Sequence, residues 1–108
     1  MAYSTTADVL AIVDTDMSAP EISDLIDRTD ARIDLVIDAG STAALLLEDL
    51  SATWTAYRVM LKDPNARSLG EYSERRDKAL ELLKQEINEL IAAINGGISF
   101  TAAVESLS

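Results

Sequence analysis

The sequence lacks both cysteine and histidine, and these two absences exclude several kinds of functional site. Without cysteine the chain cannot form a disulfide or a thiolate metal site. Without histidine it has no imidazole metal ligand and no side chain that ordinarily titrates near neutral pH. Serine–histidine and cysteine–histidine nucleophile pairs are excluded as well. We therefore expect a non-enzymatic protein with no catalytic residues, no metal site and no cofactor.

Basic residues are also scarce. The 108 residues include 9 Lys and Arg against 19 Asp and Glu, which gives a net charge of −10. The imbalance is concentrated in residues 1–63, where 12 acidic side chains face 4 basic ones. Because affinity for DNA depends on Lys and Arg displacing counterions from phosphates, this charge opposes unaided binding to nucleic acid. One face or end of the molecule should be strongly negative.

Long apolar runs are missing too. No segment approaches the roughly 20 apolar residues that span a bilayer, and residues 1–6 lack the basic and apolar regions of a signal peptide. We therefore expect a soluble, intracellular protein without a membrane partner. The length of the chain fits one domain with a single core.

The sequence does contain clear helical periodicity and helix-start signals. Thr5 with Asp8, and Ser18 with Glu21, have the spacing of capping boxes, and Pro20 suits a first helical turn. Gly40 is placed to end the second helix, Pro64 lies beyond the third, and Gly96 with Gly97 stops the fourth. The predicted helices cover about residues 6–14, 20–39, 43–61 and 73–95.

Apolar residues at steps of three and four predict which side chains form the core. The predicted fold is all-α, a small four-helix bundle over residues 1–97 followed by an extended or short-helical tail over residues 98–108. The residues expected to be largely buried are Ile22, Leu25, Ile26, Ile33, Leu46, Leu50, Trp54, Leu83, Ile87 and Leu90.

Carboxylates are the only side chains with catalytic potential that the sequence contains in quantity. Asp30, Asp34 and Asp38 stack at four-residue steps, where they could bind a divalent cation. Such runs usually form a solvated helix face, and we interpret this one as a solvated face whose charge is moderated by Arg28 and Arg32. Asp14 and Asp16 resemble the start of a calcium loop. That loop fails because Ala19 and Leu25 occupy the positions of its glycine and its bidentate glutamate.

Two further clusters admit two interpretations each. Trp54 and Tyr57 could form an aromatic ligand platform, although a stripe of this kind is more often core. Arg75, Arg76 and Lys78 open the fourth helix at the positive end of its dipole, so they could form salt bridges to a neighbouring subunit. The alternative is a solvated first turn paired with nearby glutamates.

The C-terminal tail carries four large apolar residues after a double-glycine stop: Ile98, Phe100, Val104 and Leu107. The apolar stripes of four helices already account for the core of a bundle. We therefore predict that these tail residues dock on a partner or a neighbouring subunit. The alternative is a short helix that folds back on its own bundle.

The order of these signals resembles the head-tail connector proteins of tailed viruses, also called adaptor or head-completion proteins. The resemblance covers about residues 3–95. It lies in the helix order, in the segment SAPEISDLIDRTDARIDLVI, and above all in the loop before the last helix. The most family-like residues of that loop are Ser68, Gly70, Tyr72, Ser73 and Glu74.

The resemblance implies a virion protein at the head-tail interface, made in the host cytoplasm. Family members form a dodecameric ring below the portal protein, extend the DNA channel, and bind a stopper or tail protein on the other side. The C-terminal segment would reach the portal. Acidic side chains facing the channel would repel the passing DNA and let it slide.

Two other functions compete with the connector interpretation. One is a small acidic binding module, regulatory or antitoxin-like, that neutralises a basic partner and is monomeric or dimeric. The other is a metal-dependent enzyme with inward-facing carboxylates, which would need histidine ligands that are absent or an unusual all-carboxylate set. We rank the enzyme last.

Overall fold

The structure is a computed structural model, and it describes residues 3–37, 44–69 and 76–95. Within these ranges the chain is helical, with one pair of two-residue strands. The all-α prediction is confirmed. In chain order the elements are α1 (Thr6–Leu10), β1 (Val13–Asp14), α2 (Ala19–Val36), α3 (Ala44–Lys62), β2 (Arg67–Ser68) and α4 (Arg76–Ile94). The predicted domain boundary at residue 97 and the tail lie outside the described residues.

Both predicted capping boxes start their helices. The Thr5 hydroxyl accepts a hydrogen bond from the backbone N–H of Asp8 at 3.2 Å, and the Asp8 carboxylate accepts one from the Thr5 N–H at 2.9 Å. Ser18 and Glu21 repeat this exchange at the start of α2, with Pro20 in the first turn. Each box satisfies backbone donors that the first turn would otherwise leave unpaired.

Two helix ends differ from the prediction. α1 stops at Leu10 rather than at residue 14, because Val13 and Asp14 pair antiparallel with Ser68 and Arg67. α2 stops at Val36, and Ile37 has extended backbone, so the prediction that the helix continues to Gly40 was wrong. At the end of α1 backbone partners elsewhere in the chain outweigh the local helical pattern. At the end of α2 the Asn95 side-chain amide donates to the Val36 carbonyl oxygen at 2.9 Å.

α3 is the central helix and contacts α1, α2 and α4. Buried residues group into two clusters along it. The first joins α1, β1, α2, α3 and α4 around residues such as Val9, Ile22 and Met60. The second joins α2, α3 and α4 around Ile33, Leu50 and Ile87.

The predicted core is confirmed for seven of its ten members, which are 7% exposed or less: Ile22, Leu25, Ile26, Ile33, Leu50, Leu83 and Ile87. The other three, Leu46, Trp54 and Leu90, are half-buried and pack against the second cluster. Tyr57 is also half-buried and packs against both clusters, so the two aromatic side chains border the core rather than fill it.

Candidate functional site

The predicted solvated face of α2 is wrong for Asp30, which is only 6% exposed. Its carboxylate accepts hydrogen bonds from the Ser51 hydroxyl at 2.6 Å and from the Tyr3 backbone N–H at 2.8 Å. These donors replace the water that burial removes, which is why a carboxylate is tolerated there. Asp34 is exposed, and Asp38 lies outside the described residues.

The hydrogen bonds around Asp30 extend to the start of the chain. The Ser51 and Ser4 hydroxyl oxygens lie 2.6 Å apart in the buried interior. The Tyr3 hydroxyl donates to Asp34, and this bond is the main reason why the pKa of Tyr3 is raised above its ordinary value. Ser51 is fully buried, so a substrate cannot reach its hydroxyl. We interpret the network as structural, since it ties residues 3 and 4 to α2 and α3.

A second polar cluster orders the connection between α3 and β2. The Asp63 carboxylate accepts hydrogen bonds from the Thr15 hydroxyl at 2.6 Å and from the Asn65 N–H at 2.9 Å. The Thr15 bond, followed by the Asn65 bond, lowers the pKa of Asp63 below its ordinary value. The Arg76 guanidinium donates to the carbonyl oxygens of Ala66 at 2.8 Å and of Asp63 at 3.2 Å.

The residues predicted to contact other subunits fall in different places. Arg76 is engaged with carbonyls of its own chain, as described above. Lys78 lies 3.6 Å from the Glu81 carboxylate on the surface of α4. Their contacts to a neighbouring subunit stay predictions. Arg75 and the tail residues Ile98, Phe100, Val104 and Leu107 lie outside the described residues.

The most distinctive surface is one that the sequence did not reveal, a groove between α2 and α3. It consists of two adjoining depressions of about 420 Å³ each, which share Arg28 and Arg58. Arg32 lines one depression and Lys62 lines the other. These are all four basic side chains of residues 1–63, gathered in the most acidic part of the chain. We call this surface the arginine groove.

The positive charges in the arginine groove are only partly compensated. Asp24 lines the groove beside Arg28, and Lys62 also lines a neighbouring depression with Asp16, Glu21 and Asp63. Partial burial, and then the charges of Arg32 and Arg28, lower the pKa of Arg58 below its ordinary value. Arg28 pairs with Asp24 at 2.8 Å, but both side chains are more than half exposed, so water screens that pair. In the part of the chain that the structure describes, Arg32, Arg58 and Lys62 form no ion pair. The groove can therefore receive an anionic partner.

Apolar side chains border the same groove. Leu35 lines one depression and is 84% exposed, and Leu61 lines the other and is 58% exposed. Arginine next to exposed apolar surface is typical of sites where proteins bind each other, because the guanidinium pairs with carboxylates while the leucines lose water. This combination favours an acidic protein surface over a small ligand.

Another side of α2 carries two exposed aspartates. Asp27 and Asp34 are exposed, and their seven-residue spacing places them on the same side of the helix. At about 100° per residue, this side lies about 130° around the helix from Arg28 and Arg32. We call Asp27 and Asp34 the aspartate flank. α2 therefore carries a pair of aspartates on one side and both of its arginines, together with Glu21 and Asp24, on another.

Residues 3–37, 44–69 and 76–95 contain neither a metal-binding cluster nor a membrane-spanning helix. No three acidic side chains in these ranges converge closely enough to hold a metal ion. None of the helices in these ranges has both the length and the apolar character needed to cross a membrane.

No family model, no curated protein and no solved structure matches the chain. The resemblance to head-tail connectors therefore stays a prediction from the sequence pattern.

A sequence signal for the arginine groove did exist. Arg28 and Arg32, and likewise Arg58 and Lys62, are each four residues apart and so lie one turn apart on a helix. From the sequence, Arg28 and Arg32 were interpreted as residues that offset the negative charge of nearby aspartates. It could not show that α2 and α3 bring the two pairs together.

Proposed function

We propose that this protein is a structural component of a virus particle, a head-tail connector subunit that associates with copies of itself in a ring below the portal. The observation that carries the proposal is that a groove with four basic side chains and a pair of exposed aspartates lie on different sides of α2. The arginine groove and the aspartate flank are two different surfaces of one chain, and they are complementary in charge.

Two different complementary surfaces give head-to-tail association. When a surface on one subunit binds a different surface on the next, the contact repeats in one direction, and it closes into a ring if the rotation per subunit divides a full turn. A twofold dimer would instead place the same surface on both sides of the contact. This arrangement thus favours a ring or a filament over a twofold dimer.

The overall charge suits a channel that conducts DNA. A net charge of −10 per subunit, repeated around a ring, would repel phosphates and keep DNA from adhering to the wall. The resemblance of the loop before α4 to connector proteins supports the same function. The portal and the stopper or tail protein are the proposed neighbours on the two sides of the ring, and the tail after residue 97 is the proposed contact to the portal.

Electron microscopy of the concentrated, lightly cross-linked protein tests this proposal. We expect end-on class averages with one rotational symmetry and a central opening. Twofold dimers or single subunits at every concentration would instead favour the small acidic binding module, and would contradict the ring.

A further inference from the structure

We propose that the arginine groove of one subunit binds the aspartate flank of α2 in the next copy of this chain. This inference rests on the proposed ring function and identifies the surfaces that make the ring. It assigns Arg32, Arg58 and Lys62 to one side of the contact, and Asp27 and Asp34 to the other.

The charge of the groove selects an acidic occupant. Gathering four of nine basic residues at one place leaves five for the rest of the chain, against 19 acidic residues. Asp24 is the one carboxylate that lines the two depressions, against four basic side chains, so an acidic surface that covers the groove would relieve the remaining repulsion between them. A second copy supplies such a surface from the same sequence.

We assign the aspartate flank to this contact because its two carboxylates are exposed on one side of α2. No basic side chain interrupts Asp27 and Asp34 on their side of α2. The exposed glutamates of α4, by contrast, share their helix with Lys78 and Lys84, and Lys78 already pairs with Glu81. The two aspartates lie about 10 Å apart along the helix, since each residue rises 1.5 Å, so one flank can reach basic groups in both depressions.

The apolar border of the groove adds to the contact. Leu35 and Leu61 are exposed beside the arginines, and a docked helix would remove both from water. Charge would set the direction and register of the contact, while the leucines would contribute burial. The long-range repulsion between two chains of charge −10 opposes association, and physiological salt screens it beyond about 8 Å.

A charge-swap experiment tests the contact. Groove variant A carries Arg32→Glu and Lys62→Glu, and flank variant B carries Asp27→Lys and Asp34→Lys. All four positions are exposed, but Asp34→Lys removes the acceptor of the Tyr3 hydroxyl. Helical circular dichroism and the thermal midpoint are therefore measured for both variants, and both variants should stay folded. Sedimentation velocity is measured for each protein up to about 1 mM, a concentration at which even millimolar association is visible.

We expect the wild type to self-associate and variants A and B to weaken self-association at least tenfold when alone. In an equal mixture, the acidic groove of A meets the basic flank of B, and the native groove of B meets the native flank of A. Every contact is then complementary, so the mixture should assemble again. A control variant with Glu86→Lys and Glu89→Lys has the same net charge as B and should associate at least as well as the wild type.

The outcomes separate the two proposals. Wild-type assembly that is unaffected by A and B, or a mixture that does not assemble, would overturn this contact and leave the ring function standing. A wild type that stays monomeric at every concentration would contradict both. If the wild type binds a double-stranded oligonucleotide and variant A does not, the groove binds phosphates, and the proposed contact is wrong.

Discussion

Replacing Leu50 with alanine tests the packing of the bundle most clearly. Leu50 is fully buried in the cluster that joins α2, α3 and α4, where it lies with Ile33 and Ile87. The substitution removes three carbon atoms, which at about 0.8 kcal/mol each amounts to about 2.4 kcal/mol of lost transfer free energy. The cavity left between three helices raises the expected loss of unfolding free energy to about 3 to 5 kcal/mol.

The matched control is Leu45→Ala, the same substitution on the same helix at a side chain that is 78% exposed. It should change the unfolding free energy by less than about 0.5 kcal/mol. At about 4 °C per kcal/mol for a chain of this size, Leu50→Ala should lower the thermal midpoint by about 12 to 20 °C. Both variants are compared by thermal and urea unfolding at one protein concentration, because association would otherwise shift the midpoint. Equal midpoints for the two variants would refute the packing described here.

Three further predictions follow from the polar contacts and the tail. Asp30→Ala leaves the buried Ser51 hydroxyl and the partly buried Tyr3 N–H without their acceptor, and it should lower the unfolding free energy measured in urea by about 2 to 4 kcal/mol. Exposed Asp27→Ala should change it by less than about 0.5 kcal/mol, and equal effects would contradict the buried network. Because the pKa of Asp63 is lowered in the folded state, its stabilisation is present above the ordinary value of 3.8 and is lost as the pH falls below it. The stability difference between wild type and Asp63→Asn should therefore shrink in acid, and a difference independent of pH would be evidence against this role. Deletion of residues 98–108 should leave the thermal midpoint of the bundle nearly unchanged but abolish incorporation into the assembly. If the truncated protein is unfolded instead, the tail belongs to the core of its own chain.

The predictable parts of the fold are those that local chemistry decides. The exchange of hydrogen bonds between Ser18 and Glu21 needs only a three-residue spacing, so the start of α2 can be read directly from the sequence. The apolar stripes of the long helices likewise follow from a period of 3.6 residues, and they identified buried residues such as Ile22, Leu50 and Ile87.

The parts that the sequence did not reveal depend on contacts between distant residues. The pairing of Val13 with Ser68 involves strands of two residues, too short to show alternation. The burial of Asp30 depends on donors 21 and 27 residues away, Ser51 and Tyr3, and no spacing rule connects them. A carboxylate at helical spacing therefore resembles a surface residue until its partners are known.

The arginine groove could not be predicted from the sequence for the same reason. Each helix supplies one pair of cations at a spacing that also suits ordinary surface ion pairs, and Arg28 does form one with Asp24. Only the packing of α2 against α3 shows that Arg58 lies beside Arg28 and Arg32. The candidate site is thus a property of the tertiary fold.

Native mass spectrometry of the intact protein, over a range of concentrations, tests the ring most directly. A closed ring of identical subunits should give one dominant species at a single integer multiple of the 11.7 kDa chain, with no ladder of larger species above it. A monomer at every concentration, or an open series of multiples without a preferred size, would contradict the proposal that this protein is a ring-forming connector subunit.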